Sequence, residues 1–269
     1  MYDKYDLLVV EDEPVVLSAI RKIVGSEQLS MDEALNGEIA LSKLQRNSYK
    51  LIISDLMLPR ISGLDLIQAI KKDKPCVPIV VITGYATLEK ALQSFKMGSF
   101  DFIPKPFDTE IFLAVISRGL NHSKMMQEKG PDKRNFVPIP DTSKTVFDED
   151  VVHCLGFHSM AKLQKNGTAL IRVGETFPNM MDHLSKLEIF VSNKVLVQGK
   201  CCAQFFTEDG RINMFWAPLS GKIESYNERL EKNIQLINTD PYDEGWIFRI
   251  TPSNLKEELK NLTMCKRMF

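Results

Sequence analysis

Glu11 and Asp12 directly follow an apolar run at residues 7–10. Asp55 follows one at 51–53 after Ser54, Thr83 follows one at 79–82, and Lys105 follows one at 100–103 after Pro104. Three carboxylates gathered at one place repel one another, which favours a hard divalent cation with oxygen ligands such as Mg²⁺. A carboxylate beside such an ion can attack a phosphoryl donor to form an acyl phosphate. The attacking and departing atoms then need a cation, a hydroxyl donor and an ammonium to spread the charge. Mg²⁺, Thr83 and Lys105 would fill those needs. Singly, each residue has a commoner use: an Asp after a strand forms turns, a Thr caps helices, and an Asp-Glu run begins a solvated helix. The inference rests on the whole set and its order.

For these residues to meet, the apolar runs must be strands lying side by side with their carboxyl ends together, where open parallel sheets bind their ligands. Residues 5–120 alternate short apolar runs with longer amphipathic stretches, as a parallel α/β sheet requires. The runs at 7–10, 51–53 and 79–82 are continuous and rich in β-branched residues, as expected of strands covered on both faces, and 29–34 and 100–103 supply two weaker strands. Apolar residues at helical spacing mark helices over 15–24, 38–44, 64–70, 88–97 and 110–120, giving five β-α units. Pro14 suits a first helical turn, Gly25 and Gly98 suit helix ends, and Asp108 suits an N-cap.

The motifs VVEDEP, SDLMLPRISGLDL, VITGYAT and FDFIPKPF together resemble the receiver domain of bacterial two-component response regulators, over roughly the first 120 residues and in order. The resemblance implies that Asp55 is the phosphoryl acceptor, that Asp12 binds Mg²⁺ directly and Glu11 largely through water, and that the Met57 carbonyl completes the protein ligands. It also implies that Thr83 and Lys105 hold the phosphoryl group with help from the Gly84 amide. Phe102 then occupies the aromatic switch position, and Lys105-Pro106 is expected to be cis. Met57 and Tyr85 lie at positions that in this family flank the path of the hydrolytic water. Upstream, the resemblance implies a histidine kinase or phosphotransfer protein as partner.

The chain of 269 residues has 34 basic and 35 acidic side chains and a formal net charge of -1, so no long-range field draws it to nucleic acid or to an anionic membrane. Five cysteines without a C-x-x-C pair read as reduced thiols. No apolar stretch approaches the roughly 20 residues that span a bilayer, and the expected location is the cytoplasm. Residues 129–150 carry three prolines and many charges without periodicity, which reads as an exposed linker. Beyond it, alternating segments at 168–173, 187–191, 201–206, 212–216, 222–226 and 246–250, broken by turn residues, predict a small mostly-β domain, with a closing helix over 255–262.

Residues 217–259, APLSGKIESYNERLEKNIQLINTDPYDEGWIFRITPSNLKEEL, are similar to the glycine-cleavage H protein, a lipoyl carrier. The likeness extends upstream through HSMAKLQKNGTALIRVG as an opening hairpin, TFPNMMDHLSKLEIF as a short helix and strand, and NKVLVQGK as the turn before the lipoyl hairpin. It implies a barrel-sandwich fold with a lipoyl-lysine at a hairpin tip. Here that position falls on Gly210, and no lysine lies between Lys200 and Lys222. Asp209-Gly210 is a hairpin turn signal in its own right.

The expected architecture is therefore an α/β, flavodoxin-like, doubly wound five-stranded receiver domain (1–124), a linker (125–150) and a mostly-β, H-protein-like domain (151–264). The expected function is a response regulator whose non-lipoylated second domain acts by protein contact and which catalyses only its own phosphoryl transfer and dephosphorylation. Its partners downstream would be an unidentified protein and, as a further contact, a second receiver. The rival readings are a phosphorylation-regulated lipoyl carrier and a DNA-binding regulator. The latter is disfavoured because no helix-turn-helix pattern follows residue 125.

Overall fold

The structure, a computed structural model, describes residues 4–84, 87–129, 137–138, 151–174, 177, 183–240 and 243–266. The chain divides into two compact units, Met1–Pro131 and Asp132–Phe269, with the division inside the stretch read as linker.

In the first unit β1 (Lys4–Val10), α1 (Pro14–Ser26), β2 (Met31–Ala34), α2 (Gly37–Arg46), β3 (Ser48–Asp55), α3 (Gly63–Asp73), β4 (Ile79–Thr83), α4 (Leu88–Lys96), β5 (Asp101–Pro104) and α5 (Thr109–Lys129) alternate along the chain. The five strands are parallel in the order β2-β1-β3-β4-β5, which is the flavodoxin-like arrangement. Leu7 to Val10, Leu51 to Ile53 and Ile79 to Ile82 are fully buried, which is why these strands read as unbroken apolar runs. Asn36, Ser62 and Thr87 accept hydrogen bonds from Ile39, Asp65 and Lys90 amides and so start α2, α3 and α4. Pro14 occupies the first turn of α1, and Gly98 follows α4 with φ +93°. The fifth helix runs to Lys129, past the expected end at 120 and past residue 124. Its last turns carry few apolar residues, although His122 and Ser123 are buried.

The second unit is mostly antiparallel. One sheet has the order β10-β12-β13 and consists of β10 (Leu184–Ile189), β12 (Cys201–Thr207) and β13 (Ile212–Trp216). The other has the order β11-β14-β15-β9-β8-β7-β16-β6 and is built from β6 (Val137–Pro138), β7 (Val151–Leu155), β8 (Ser159–Leu163), β9 (Ala169–Val173), β11 (Val195–Leu196), β14 (Gly221–Tyr226), β15 (Phe248–Pro252) and β16 (Thr263–Lys266). Phe205 and Phe215 from the first sheet meet Ile171, Phe248 and Ile250 from the second in one core, as in a barrel-sandwich.

Two readings need correction. Val137–Pro138, inside the supposed linker, pairs with Cys265 and Lys266 as an edge strand, a place where proline is tolerated. The closing helix is one α-helical turn, Leu255–Glu258, followed by a 3₁₀ turn, Leu259–Asn261. The short helix expected at the start of TFPNMMDHLSKLEIF lies, apart from Phe177, outside the described residues. Cys201 is half-buried and Cys202 buried, as alternation on a strand dictates. Among the described residues, no helix is long and apolar enough to cross a membrane.

A Cβ on Gly63 would lie 2.2 Å from the Asp55 carbonyl oxygen and 2.5 Å from Leu56 Cα, while the Gly63 amide donates to Leu56 O at 3.0 Å. The loop after β3 closes onto α3 only because this residue has no side chain. Gly63→Ala is therefore expected to destabilise the first unit by about 1–3 kcal/mol. The change should appear in denaturant unfolding followed by peptide-resolved hydrogen exchange, and a variant as stable as the parent would contradict this packing.

His122 packs against Phe100 with ring centroids 5.2 Å apart. Burial, with the charge of Lys71 second, lowers its pKa to about 4. The unfolded imidazole binds a proton near 6.5 and the folded one only near 4. Stability is thus lost as pH falls through that window, by about 3 kcal/mol in full. In His122→Gln, which cannot titrate, the first unit should lose about 3 kcal/mol less than the parent between those pH values. The measurement is hydrogen exchange of peptides from β5 and α5, and identical acid sensitivity in the two proteins would refute it.

Candidate functional site

The chain leaves β1 toward β2 and returns across it to β3, so the crevice of this open sheet falls over the carboxyl ends of β1 and β3. Glu11 lies one residue beyond β1, and Asp55 is the last residue of β3. Strand register places the others. Asp55 is paired with Ile82, the residue before Thr83, and Thr83 is paired with Pro104, the residue before Lys105. The Lys105 amide donates to Thr83 O at 2.9 Å, and the Lys105-Pro106 bond is cis.

The Lys105 ammonium is the hub of the crevice. Its Nζ lies 2.7 Å from Asp55 Oδ2, 2.7 Å from Glu11 Oε2 and 3.0 Å from Glu13 Oε1. Burial opposes this charge, but the contacts with Asp55, Glu11 and Glu13 outweigh it and raise the pKa of the ammonium above the usual lysine range. Glu11 is wholly buried, and its pKa is raised, chiefly by burial with a contribution from the Asp55 charge, against the lowering pull of Lys105. The other Asp55 oxygen, Oδ1, accepts from the Met57 amide at 3.0 Å.

One ligand oxygen from each of Glu11, Asp12 and Asp55 lies within 4.8 Å of the others, with Asp12 exposed. This all-carboxylate donor set suits a hard divalent cation, which would also relieve the repulsion that raises Glu11. Thr83 is fully buried. Gly84 is exposed, with open space around it. The Met57 side chain is 48 % exposed, with its Sδ 3.3 Å from Lys90 Nζ. The Phe102 ring is buried. Tyr85 lies outside the described residues.

The structure thus gathers Glu11, Asp12, Asp55, Thr83 and Lys105 at one edge and adds Glu13, which sequence reasoning passed over. The available signal was a third acid in Glu11-Asp12-Glu13, hidden because an acid just before Pro14 reads as a helix start. Glu13 does stand at the N-cap of α1, but its side chain makes no capping hydrogen bond.

In the second unit Gly210 lies in the turn joining β12 to β13. Its amide donates to Thr207 O at 3.0 Å, the Thr207 amide donates to Arg211 O at 3.1 Å, and Gly210 has φ +83°. This is a three-residue hairpin loop with glycine in the left-handed position. Asp209 pairs with Thr207 Oγ1 and with Arg211 Nε.

Residues 7–117 match the family model of the response regulator receiver domain, and residues 156–268 match that of the glycine cleavage H-protein. The nitrogen assimilation regulatory protein NtrX of Azorhizobium caulinodans is 32% identical over 126 residues, which cover 46% of this chain and 28% of that protein. The response regulator protein PilR of Pseudomonas aeruginosa is 34% identical over 124 residues, with the same two shares, 46% and 28%. The chain therefore spans less than a third of the length of these relatives. Among solved structures, the receiver domain of NtrX from Brucella abortus is 32% identical, with a TM-score of 0.42 over 43% of this chain and 98% of that one. Two families thus meet in one polypeptide, a response regulator receiver domain at residues 7–117 and a glycine cleavage H-protein domain at residues 156–268.

Proposed function

We propose that this chain is the response regulator of a two-component phosphorelay. It takes a phosphoryl group on Asp55 from a histidine kinase or phosphotransfer protein and acts through an H-protein-like domain that carries no lipoate. The observation that carries the reading is the Asp55 carboxylate held 2.7 Å from the Lys105 ammonium beside Glu11 and Asp12.

In the transfer, an Asp55 carboxylate oxygen attacks the donor phosphorus. A new O–P bond forms as the bond to the donor imidazole nitrogen breaks, and the nitrogen keeps the electron pair. The product is an acyl phosphate. Mg²⁺, when bound to Asp12, Asp55, the Met57 carbonyl and, through water, Glu11, would neutralise charge on the phosphoryl oxygens. Lys105 and the Thr83 hydroxyl donate to those oxygens, as does the Gly84 amide. Drawing Thr83 toward the phosphoryl group changes the space beside Phe102, whose ring position then reports the state of Asp55. Catalysis is limited to this transfer and to hydrolysis of the acyl phosphate, which returns the Asp55 carboxylate and releases inorganic phosphate, and the proposed location is the cytoplasm.

The second domain acts by contact on an unidentified protein, with receiver pairing as a further route. Gly210 at the position of the attachment lysine supports this. A small phosphodonor with Mg²⁺ is expected to add one phosphoryl group, Asp55→Asn to add none, and chelation of the cation to stop the reaction, all read by intact mass. Expression in a lipoylation-competent cell should yield no lipoyl adduct. Equal acid-labile phosphate in Asp55→Asn would overturn the acceptor assignment, and a lipoyl adduct on any lysine of residues 151–269 would overturn the output reading.

A further inference from the structure

An ammonium has three N–H donors, and Lys105 Nζ has three carboxylates around it, those of Asp55, Glu11 and Glu13, at 2.7, 2.7 and 3.0 Å. The contacts to Asp55 Oδ2 and Glu13 Oε1 are hydrogen bonds and that to Glu11 Oε2 is an ion pair by distance, so a phosphoryl oxygen meets an ammonium already engaged by three acids. The three contacts differ in what opening costs. Glu11 is wholly buried and Asp55 nearly so, whereas the Glu13 side chain is 61% exposed and can return its charge to water.

The local backbone directs Glu13 to this contact. It occupies the N-cap of α1 in an extended conformation, with Pro14 fixed behind it and its own amide donating to Glu11 Oε1 at 3.2 Å. The residue that usually spends its side chain on the first turn of a helix caps nothing here and reaches across to Lys105 instead.

We propose that Glu13 is a positioning residue, a releasable tether that engages Lys105 beside Asp55 and sets the rate at which Asp55 is phosphorylated. The proposal rests on Asp55 being the acceptor. An arriving phosphoryl group competes with the Glu13 carboxylate for the Lys105 ammonium, and of the two hydrogen-bonded acids Glu13 is the exposed one whose 3.0 Å contact gives way.

The test uses the full chain with acetyl phosphate at saturating Mg²⁺ and follows acid-labile phosphate on Asp55 with time. Glu13→Gln replaces the charged contact by a weak neutral one, and Glu13→Asp keeps the charge but is one methylene too short for the contact. Both variants are expected to be phosphorylated about fivefold faster than the parent, the effect of one close charge contact near water. A faster Gln variant with a parent-like Asp variant would mean that only the field of the third acid matters, and would overturn the tether. Parent-like or slower rates in both variants would overturn it as well. If the parent itself takes up no phosphate, the acceptor assignment fails first and the tether with it, an outcome distinct from a phosphorylated parent matched by both variants.

Discussion

A single ammonium makes the crevice of the first unit possible. Asp55 ends β3 and Glu11 follows the neighbouring β1, both buried, and without a nearby cation their mutual repulsion and lost hydration would drive one of them neutral. Lys105 lies within 2.7 Å of both, and the competing influences on its own charge resolve in favour of the protonated form. The compensation is incomplete, since Glu11 still has a raised pKa. That residue of unfavourable charge is the physical basis for a divalent cation at Glu11, Asp12 and Asp55.

Backbone register brings Lys105 to this site. The ammonium sits at the end of β5, two strands away from Asp55, and reaches it only because β3, β4 and β5 run parallel with Asp55 beside Ile82 and Thr83 beside Pro104. A slip of one residue would turn each strand's side chains to the opposite face. The continuous burial of β1, β3 and β4 prevents such slippage, because their core residues have no exposed alternative. Gly63 completes the frame by letting α3 begin against the Asp55 carbonyl. The buried Asp101–Arg118 ion pair links β5 to α5.

The same physics decides what could be read from the sequence. Strands buried on both faces appear as apolar runs, so β1, β3 and β4, and with them the acids and the threonine behind them, are legible without any structure. The end of α5 is not, because its last turns hold Asn121, His122 and Ser123 where a periodic apolar pattern would be sought. Two-residue β6 is invisible for a related reason: Val137 and Pro138 lie in a short run, Phe136 to Pro140, that two prolines interrupt, and their pairing with β16 is a contact between residues more than 120 positions apart. Glu13 was missed because its type suits a local role that its side chain does not take. The hairpin at Gly210, by contrast, is written in two adjacent residues, since a left-handed turn position selects glycine directly.

That turn also bears on what the second domain can do. An added Cβ at Gly210 would meet no atom within 4 Å, so room is not the obstacle to a lysine there. The obstacle is the backbone: φ +83° costs a residue with a side chain about 1 kcal/mol. A lysine would favour a differently shaped loop, and the present loop is instead held by Asp209 bridging Thr207 and Arg211. On the reading proposed here, the domain keeps a carrier scaffold but presents an ion-paired hairpin in place of a swinging cofactor. Such a surface can pass on the state of Asp55 only through contacts that differ between the phosphorylated and unphosphorylated forms. The output of this chain is then a difference in binding, and its size is bounded by how unequally a partner meets the two states.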